Sequence, residues 1–341
     1  MQNKFENPIK NPEAMEWNEK LKLIISDVDE TIADLYVEAK PEMVMELEKL
    51  LSEGKALFLI SGQSVKSMQW RIVDYIKKDL RSRIIVGHCS GAEVWGFDDE
   101  GVLRDKPFYS LYETELSAEQ KEAWREVIRQ LVEEFKLKTL PTMPIAEFEK
   151  KSKGDPLTIM LEDRGPQITF EIVNGYDLSP EQAQKLEVEV PETHGHYDLR
   201  IPILERAEKL LEERGLPITP RIAGVFAIDF AIKGVSKTTA VKYVIQHDSI
   251  LSSLGIRKSD IQNPESMEVW GDKFSVVRGG TDRHISEALP KEVRSISFRE
   301  EKPEEFLEGY NTVVWNGKEH LHDGLLEFLQ SRNPKEFAAK E

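Results

Sequence analysis

Asp27, Asp29 and Glu30 stand together at the end of the apolar run in LKLIISDVDETIADLY, residues 21–36. Further along come Ser61 and Gly62 in SGQS, directly after ALFLI, then Lys237 in SKTTAVKYV, and Asp272 and Asp282 in WGDKFSVVRGGTD. Carboxylates gathered about one point repel each other unless a cation lies between them. Oxygen donors without histidine or cysteine suit a hard cation such as Mg²⁺. A magnesium ion, a lysine and a hydroxyl around one point make a holder for a phosphoryl group, because they neutralise its oxygens as charge shifts in the transition state. One carboxylate can then attack phosphorus. A second, two residues on, can protonate the leaving oxygen and afterwards activate water.

Such chemistry needs elements that bring distant residues to one place. The stretch 21–26 is short and apolar and reads as a buried strand. Pro41 opens a helix whose apolar positions Met43, Val44, Leu47, Leu50 and Leu51 follow helical spacing, and Gly54 ends it. ALFLI (56–60) is a second strand, residues 64–78 return to helical spacing, and RIIV (83–86) is a third strand. Strand, helix, strand, helix, strand predicts an α/β fold with a parallel sheet, and functional residues at the carboxyl ends of its strands. Both DVDE and SGQS stand at such ends.

The middle of the chain has a different character. EVWGFDDEGVLRDKPF (93–108) reads as a hairpin, and residues 117–135 as a helix capped by Ser117. LTIMLED and QITFEIV form a strand pair around a turn in which Arg164 reads as solvated. RIPILERAEKLLEERG (200–215) is an amphipathic helix, and VFAIDFAI (225–232) a strand. This predicts an α+β unit over 114–222, inserted into an α/β core of 20–113 and 223–331, with flexible termini at 1–19 and 332–341. In the second core segment SKTTAVKYVIQHD and HDGLLEFLQS read as helices, and SMEVWGD, VRSISF and NTVVW as strands.

DVDET, LISGQS, a lone lysine at a helix start and GD…GGTD, in that order, resemble the four motifs of the haloacid dehalogenase-like (HAD) hydrolase superfamily. The large insertion between the serine and lysine motifs resembles the subgroup with a C2-type cap, which includes sugar phosphatases and phosphomannomutases. The resemblance spans roughly residues 20 to 330. It implies a Rossmann-like core with a cap that sets substrate specificity, the site lying in the cleft between them. It makes Asp27 the nucleophile and a Mg²⁺ ligand, and Asp29 the acid/base with its carbonyl on the metal. Ser61, Gly62 and Lys237 would bind the phosphoryl group, and Asp272 and Asp282 would complete the metal site. The chain departs from the family pattern in three places. Glu30 stands where glycine is usual. Asp272 and Asp282 are ten residues apart, with Thr281 in place of the usual asparagine. Ser90-Gly91-Ala92 replaces the usual Asn-Gly-Ala.

The resulting expectation is a Mg²⁺-dependent phosphatase for a small phosphomonoester such as a sugar phosphate. The alternatives are a phosphomutase, suggested by GDK…GGTD, and a non-catalytic binding protein of the same fold. A P-loop reading of KGVSKTT fails, because Ser236 precedes the lysine where that loop requires glycine. His194, His196 and Arg200 in ETHGHYDLR could contact the substrate. No further His or Cys cluster supports a zinc site there.

Lys and Arg number 46 against 62 Asp and Glu, a net charge of −16, which argues against nucleic acid and anionic membrane surfaces as partners. One cysteine, Cys89, permits no intrachain disulfide and fits a reducing cytoplasm. No secretory h-region and no apolar run of about 18 residues is present. The sequence sets no oligomeric state.

Overall fold

Strands with no polar alternation must be covered on both faces, and the first segment of this chain is built that way. A computed structural model of the chain describes residues 15–193 and 195–332. The described residues divide into two compact units, one of residues 15–109 and 236–332 and the other within residues 110–235.

The first unit holds β1 (Leu23–Ser26), α1 (Pro41–Ser52), β2 (Ala56–Ile60), α2 (Val65–Arg71), β3 (Ile84–His88) and β4 (Glu93–Gly96), and β5 (Tyr109–Ser110) spans its boundary. After the second unit come α8 (Lys237–Gln246), α9 (Asp248–Ser253), β13 (Met267–Gly271), α10 (Arg283–Ser286), β14 (Arg294–Ser297), β15 (Thr312–Val314) and α11 (Leu321–Gln330). The sheet order is β15-β14-β13-β1-β2-β3-β4-β5. The strands from β15 to β3 run parallel, and β4 returns antiparallel to β3. Successive side chains point to opposite faces. Ile24, Leu57, Leu59, Val86 and Ile296 therefore pack with α1, α2 and α11, while Leu23, Ile25, Phe58, Ile60 and Val269 pack with α8 and α9.

The second unit contains α3 (Leu111–Glu115), α4 (Ala118–Glu134), β6 (Lys138–Leu140), α5 (Ile145–Ser152), β7 (Thr158–Asp163), β8 (Gln167–Glu171) and α6 (Pro180–Gln184). There follow β9 (Glu192–Thr193), β10 (His196–Tyr197), α7 (Arg200–Glu213), β11 (Ile218–Ala223) and β12 (Ala227–Ile232). Its sheet has the order β11-β12-β8-β7-β6. One face, with Ile159, Ile168, Phe170, Ile228 and Phe230, buries against Trp124, Val127, Ile128 and Leu131 of α4 and Ile203, Ala207 and Leu210 of α7. That α4 series has the three- and four-residue spacing of one helix face. Ser117 and Gln120 close its first turn as a capping box.

Four expectations change. The second unit runs past 222, because β11 and β12 pair along their whole length and β12 pairs with β8. The helix expected over 64–78 ends at Arg71, whose carbonyl accepts from Ala39 N–H outside the helix, and 3₁₀ turns follow. Residues 15–19 of the expected flexible terminus are ordered by packing: Met15 is buried, and the Trp17 ring lies 5.7 Å from Phe328 and under the Arg332 guanidinium at 4.2 Å. The rest of 1–19, and 333–341, lie outside the described residues. Arg164 is not solvated, since its side chain is 3% exposed and donates to Glu162.

Candidate active site

Five chain segments meet at the carboxyl ends of the parallel strands, where an open α/β sheet binds its ligands. Asp27 follows β1, Ser61 follows β2, Ser90 follows β3, Asp272 follows β13 and Arg299 lies just past β14. Lys237 is the first residue of α8, whose N-cap Ser236 accepts from Thr239 N–H. The loop after β3 approaches this helix so closely that a Cβ on Gly91 would lie 2.6 Å from that of Ala240. Only glycine permits the approach, and Gly91 also takes φ +88°.

The carboxylates of Asp27, Asp272 and Asp282 lie within 4.8 Å of one another, and all three are buried. Lys237 Nζ bridges two of them, 2.6 Å from Asp27 Oδ1 and 2.8 Å from Asp282 Oδ1. Burial, then the neighbouring Asp282, push the Asp27 carboxyl well above the ordinary range, with Lys237 opposing. Asp272 is raised to about 7 by burial and by Asp282, against Lys273 and Arg299. Burial works against the charge on Lys237, yet Asp27 and Asp282 outweigh it and hold the ammonium above its usual value.

This is a set of acidic groups that a hard cation would relieve. Asp272 Oδ2 accepts from Arg299 at 2.8 and 3.1 Å, while its Oδ1 is buried and has no hydrogen-bond partner. A buried carboxylate oxygen left without a donor is the feature a metal ligand would show. The donor set and this free oxygen fit Mg²⁺.

The ten-residue separation of Asp272 and Asp282 closes on itself. Asp282 N–H donates to Lys273 O, and Asp282 Oδ2 accepts from the backbone N–H groups of Asp272 and Lys273, each at 3.0 Å. Gly271 makes room for this, since a Cβ there would lie 2.7 Å from Asp282 Oδ2. Residues 274–281 form an excursion tied at its neck, with Glu301 accepting from the N–H groups of Phe274 and Ser275.

Both oxygens of Asp29 are engaged: Ser61 Oγ donates to Oδ2 at 2.6 Å, and Arg71 Nη1 donates to Oδ1 at 2.7 Å. Gly62 follows Ser61 in the same turn, which Ser61 Oγ stabilises by accepting from Gln63 N–H. Glu30 has φ +63°, in the left-handed region that favours glycine. Its Oε2 accepts from Lys273 at 3.0 Å and from Arg299 at 2.6 Å. Burial raises its pKa, but these two cations prevail and hold it below the usual value.

The structure therefore brings Asp27, Asp29, Ser61, Lys237, Asp272 and Asp282 together. Arg71, Lys273 and Arg299 escaped the sequence reading. Lys273 directly follows Asp272, and Arg299 follows an apolar strand just as the other site residues do, so both carried a signal. Arg71 carried none, because a buried arginine at a helix end is visible only in three dimensions.

The proposed substrate contacts in the second unit fare differently. Arg200 is committed to the loop around it: Nε and Nη2 donate to Asp198, Nη1 donates to Val225 O at 2.7 Å, and the guanidinium lies over Tyr176. These bonds tie the guanidinium to its own unit. His196 is exposed and contacts Asp177 at 2.9 Å. His194 lies outside the described residues.

No family model matches the chain, and no curated protein matches it. Solved structures do. The C-terminal domain of trehalose-6-phosphate phosphatase from C. albicans aligns over 93% of this chain and 93% of its own, at 12% identity and a TM-score of 0.52. A haloacid dehalogenase-like hydrolase from Bacteroides thetaiotaomicron aligns over 91% of this chain and 98% of its own, at 12% identity and a TM-score of 0.51. At this level of identity the likeness is one of fold.

Proposed function

We propose that this chain, which has the haloacid dehalogenase-like fold, is a Mg²⁺-dependent phosphatase of a small phosphomonoester, with a sugar phosphate as the leading class. One observation carries the reading: three buried aspartates converge on one point, two of them bridged by Lys237 and the third, Asp272, with Oδ1 left free, while Asp29 stands two residues beyond Asp27. The sugar-phosphate class follows the motif resemblance, and one structural neighbour is a phosphatase of trehalose 6-phosphate.

In this mechanism Asp27 and Lys237 act on the phosphoryl group from opposite charges. An oxygen of Asp27 attacks phosphorus as the bond to the leaving oxygen breaks, and Asp29 in its acid form gives that oxygen a proton. The alcohol departs and Asp27 carries the phosphoryl group. Asp29, now a carboxylate, takes a proton from water, which attacks phosphorus and frees Asp27 and inorganic phosphate. Ser61, whose hydroxyl donates a hydrogen bond to Asp29 Oδ2 in the free protein, keeps its proton and turns that bond to a phosphoryl oxygen, leaving Asp29 Oδ2 open for the proton it carries. Lys237 neutralises a second phosphoryl oxygen. Asp27, Asp272, Asp282 and the carbonyl of Asp29 would hold Mg²⁺, which supplies charge stabilisation for the phosphoryl oxygens.

The test is phosphate release from a panel of sugar phosphates and other phosphomonoesters, with Mg²⁺ and with chelator, for the wild type and Asp27→Asn. Metal-dependent release that is lost in the variant is expected. A folded wild type that releases phosphate from no compound, or an Asp27→Asn protein that turns over normally, overturns the proposal. Transfer of the phosphoryl group to a second sugar hydroxyl without release would instead mark a mutase.

A further inference from the structure

Arg71 is fully buried, and its guanidinium divides its bonds among three places. Nη1 donates to Asp29 Oδ1 at 2.7 Å, Nη2 to Asp34 O at 2.6 Å and Nε to Val37 O at 2.9 Å. Its own backbone carbonyl accepts from Ala39 N–H at 2.8 Å. The segment it grips leads from the Asp29 turn to α1, and carries Leu35 and Val37 at 45% and 50% exposure and Tyr36 at φ +57°. A buried charge is retained only when its donors are matched, and here every match is either the carboxylate or the loop beside it.

We infer that Arg71 is a positioning residue that couples the 34–39 loop to Asp29, fixing the direction of the carboxylate through which protons move. The planar fork suits the task, because one rigid group spans three acceptors; a lysine ammonium lacks that reach and geometry. The inference rests on the reading of Asp29 as the acid/base. It goes beyond that reading in naming a residue that contacts no substrate and yet sets the rate.

The probe is 4-nitrophenyl phosphate, whose leaving group departs without a proton. In Arg71→Ala the first turnover, read as a burst of nitrophenolate, stays close to the wild-type rate. Release of phosphate from Asp27 still needs Asp29 to take a proton from water, so steady-state kcat falls about 100-fold, the scale expected when a catalytic group is misplaced by about 1 Å. KM does not rise. Guanidinium ion added at sub-denaturing concentration enters the vacated space and restores kcat severalfold. Arg71→Lys, which keeps the charge, shows the same separation of burst and steady rate at smaller size and serves if Arg71→Ala does not fold. Burst and steady rate falling together, or a kcat within twofold of wild type, overturns the inference. Normal turnover by Asp29→Asn overturns the acid/base reading beneath it, a separate outcome.

Discussion

The ammonium of Lys237 and the carboxylate of Asp27 lie 2.6 Å apart, both buried, across 210 residues of chain. Neither charge would be tolerated there alone. The pair is asymmetric, however. Lys237 has a second carboxylate in Asp282, whereas Asp27 is crowded by Asp282, Asp272 and Asp29.

That asymmetry separates two inactive variants. Lys237→Ala strands Asp27 and Asp282 and destabilises the metal-free protein by about 3 kcal/mol, the scale of breaking a buried pair from one side. Asp27→Asn removes a carboxylate that burial and its neighbours already disfavour, so its melting temperature is no lower than wild type. Under the proposed mechanism both variants lose phosphate release, by about a thousandfold or more for Asp27→Asn. Calorimetry of the two variants in chelator reads the difference.

In the proposed Mg²⁺ site, metal affinity is expected to follow pH through Asp272. Its folded pKa is raised to about 7, so below that pH the carboxyl holds a proton that a metal must displace. Apparent Mg²⁺ affinity therefore falls as pH drops below 7, by up to about tenfold per pH unit for one displaced proton. The sign reverses for the metal-free fold. A raised carboxyl pKa contributes stability that is present at low pH and lost as pH rises through the folded value, so this group makes the apo protein less stable at pH 8 than at pH 6. Titration calorimetry at several pH values, with melting curves in chelator, measures both.

Gly271→Ala tests the seat of Asp282. The added methyl would lie 2.7 Å from Asp282 Oδ2 and displace it from the N–H groups of Asp272 and Lys273. Loss of such support lowers metal affinity by about 10- to 100-fold. Binding of Mn²⁺, followed by electron paramagnetic resonance, reports this without turnover.

Glu30 offers a comparison of two replacements. Alanine keeps the left-handed strain and removes the ion pairs with Lys273 and Arg299, while glycine removes both strain and ion pairs. Glu30→Gly is expected to be more stable than Glu30→Ala by about 1 kcal/mol. Urea denaturation of the two variants gives the value.

The order of the central strands and longer helices was legible because β1, β2 and β3 lie in short apolar runs and α1, α8 and α11 have a three- and four-residue rhythm. Asp27, Asp29, Ser61 and Asp272 were legible for a related reason: they stand at or just past the ends of such runs, where a parallel sheet collects its functional groups, while Lys237 was legible as a lone lysine at a helix start. The bonds of Arg200 to Asp198 and Val225 O were not legible, because sequence shows a charged residue in a loop but not its partners. Arg71 was invisible for the opposite reason, since its partners lie 34 to 42 residues earlier. The end of the second unit was misplaced because an apolar strand such as VFAIDFAI reads alike in either sheet. Only pairing with β8 assigns it.

The neck that joins Lys273 to Asp282 frees the chemistry from the length of chain between them. The metal-site geometry is set by bonds at the base of the excursion, and its tip, with Val277 78% exposed, takes no part in them. Lengthening such a loop costs only about 0.6 kcal/mol per doubling. Insertions at the tip are thus a nearly neutral direction of change for this protein. Chains with very different gaps between these two aspartates can share one catalytic geometry, and a sequence pattern written with a fixed gap would separate them.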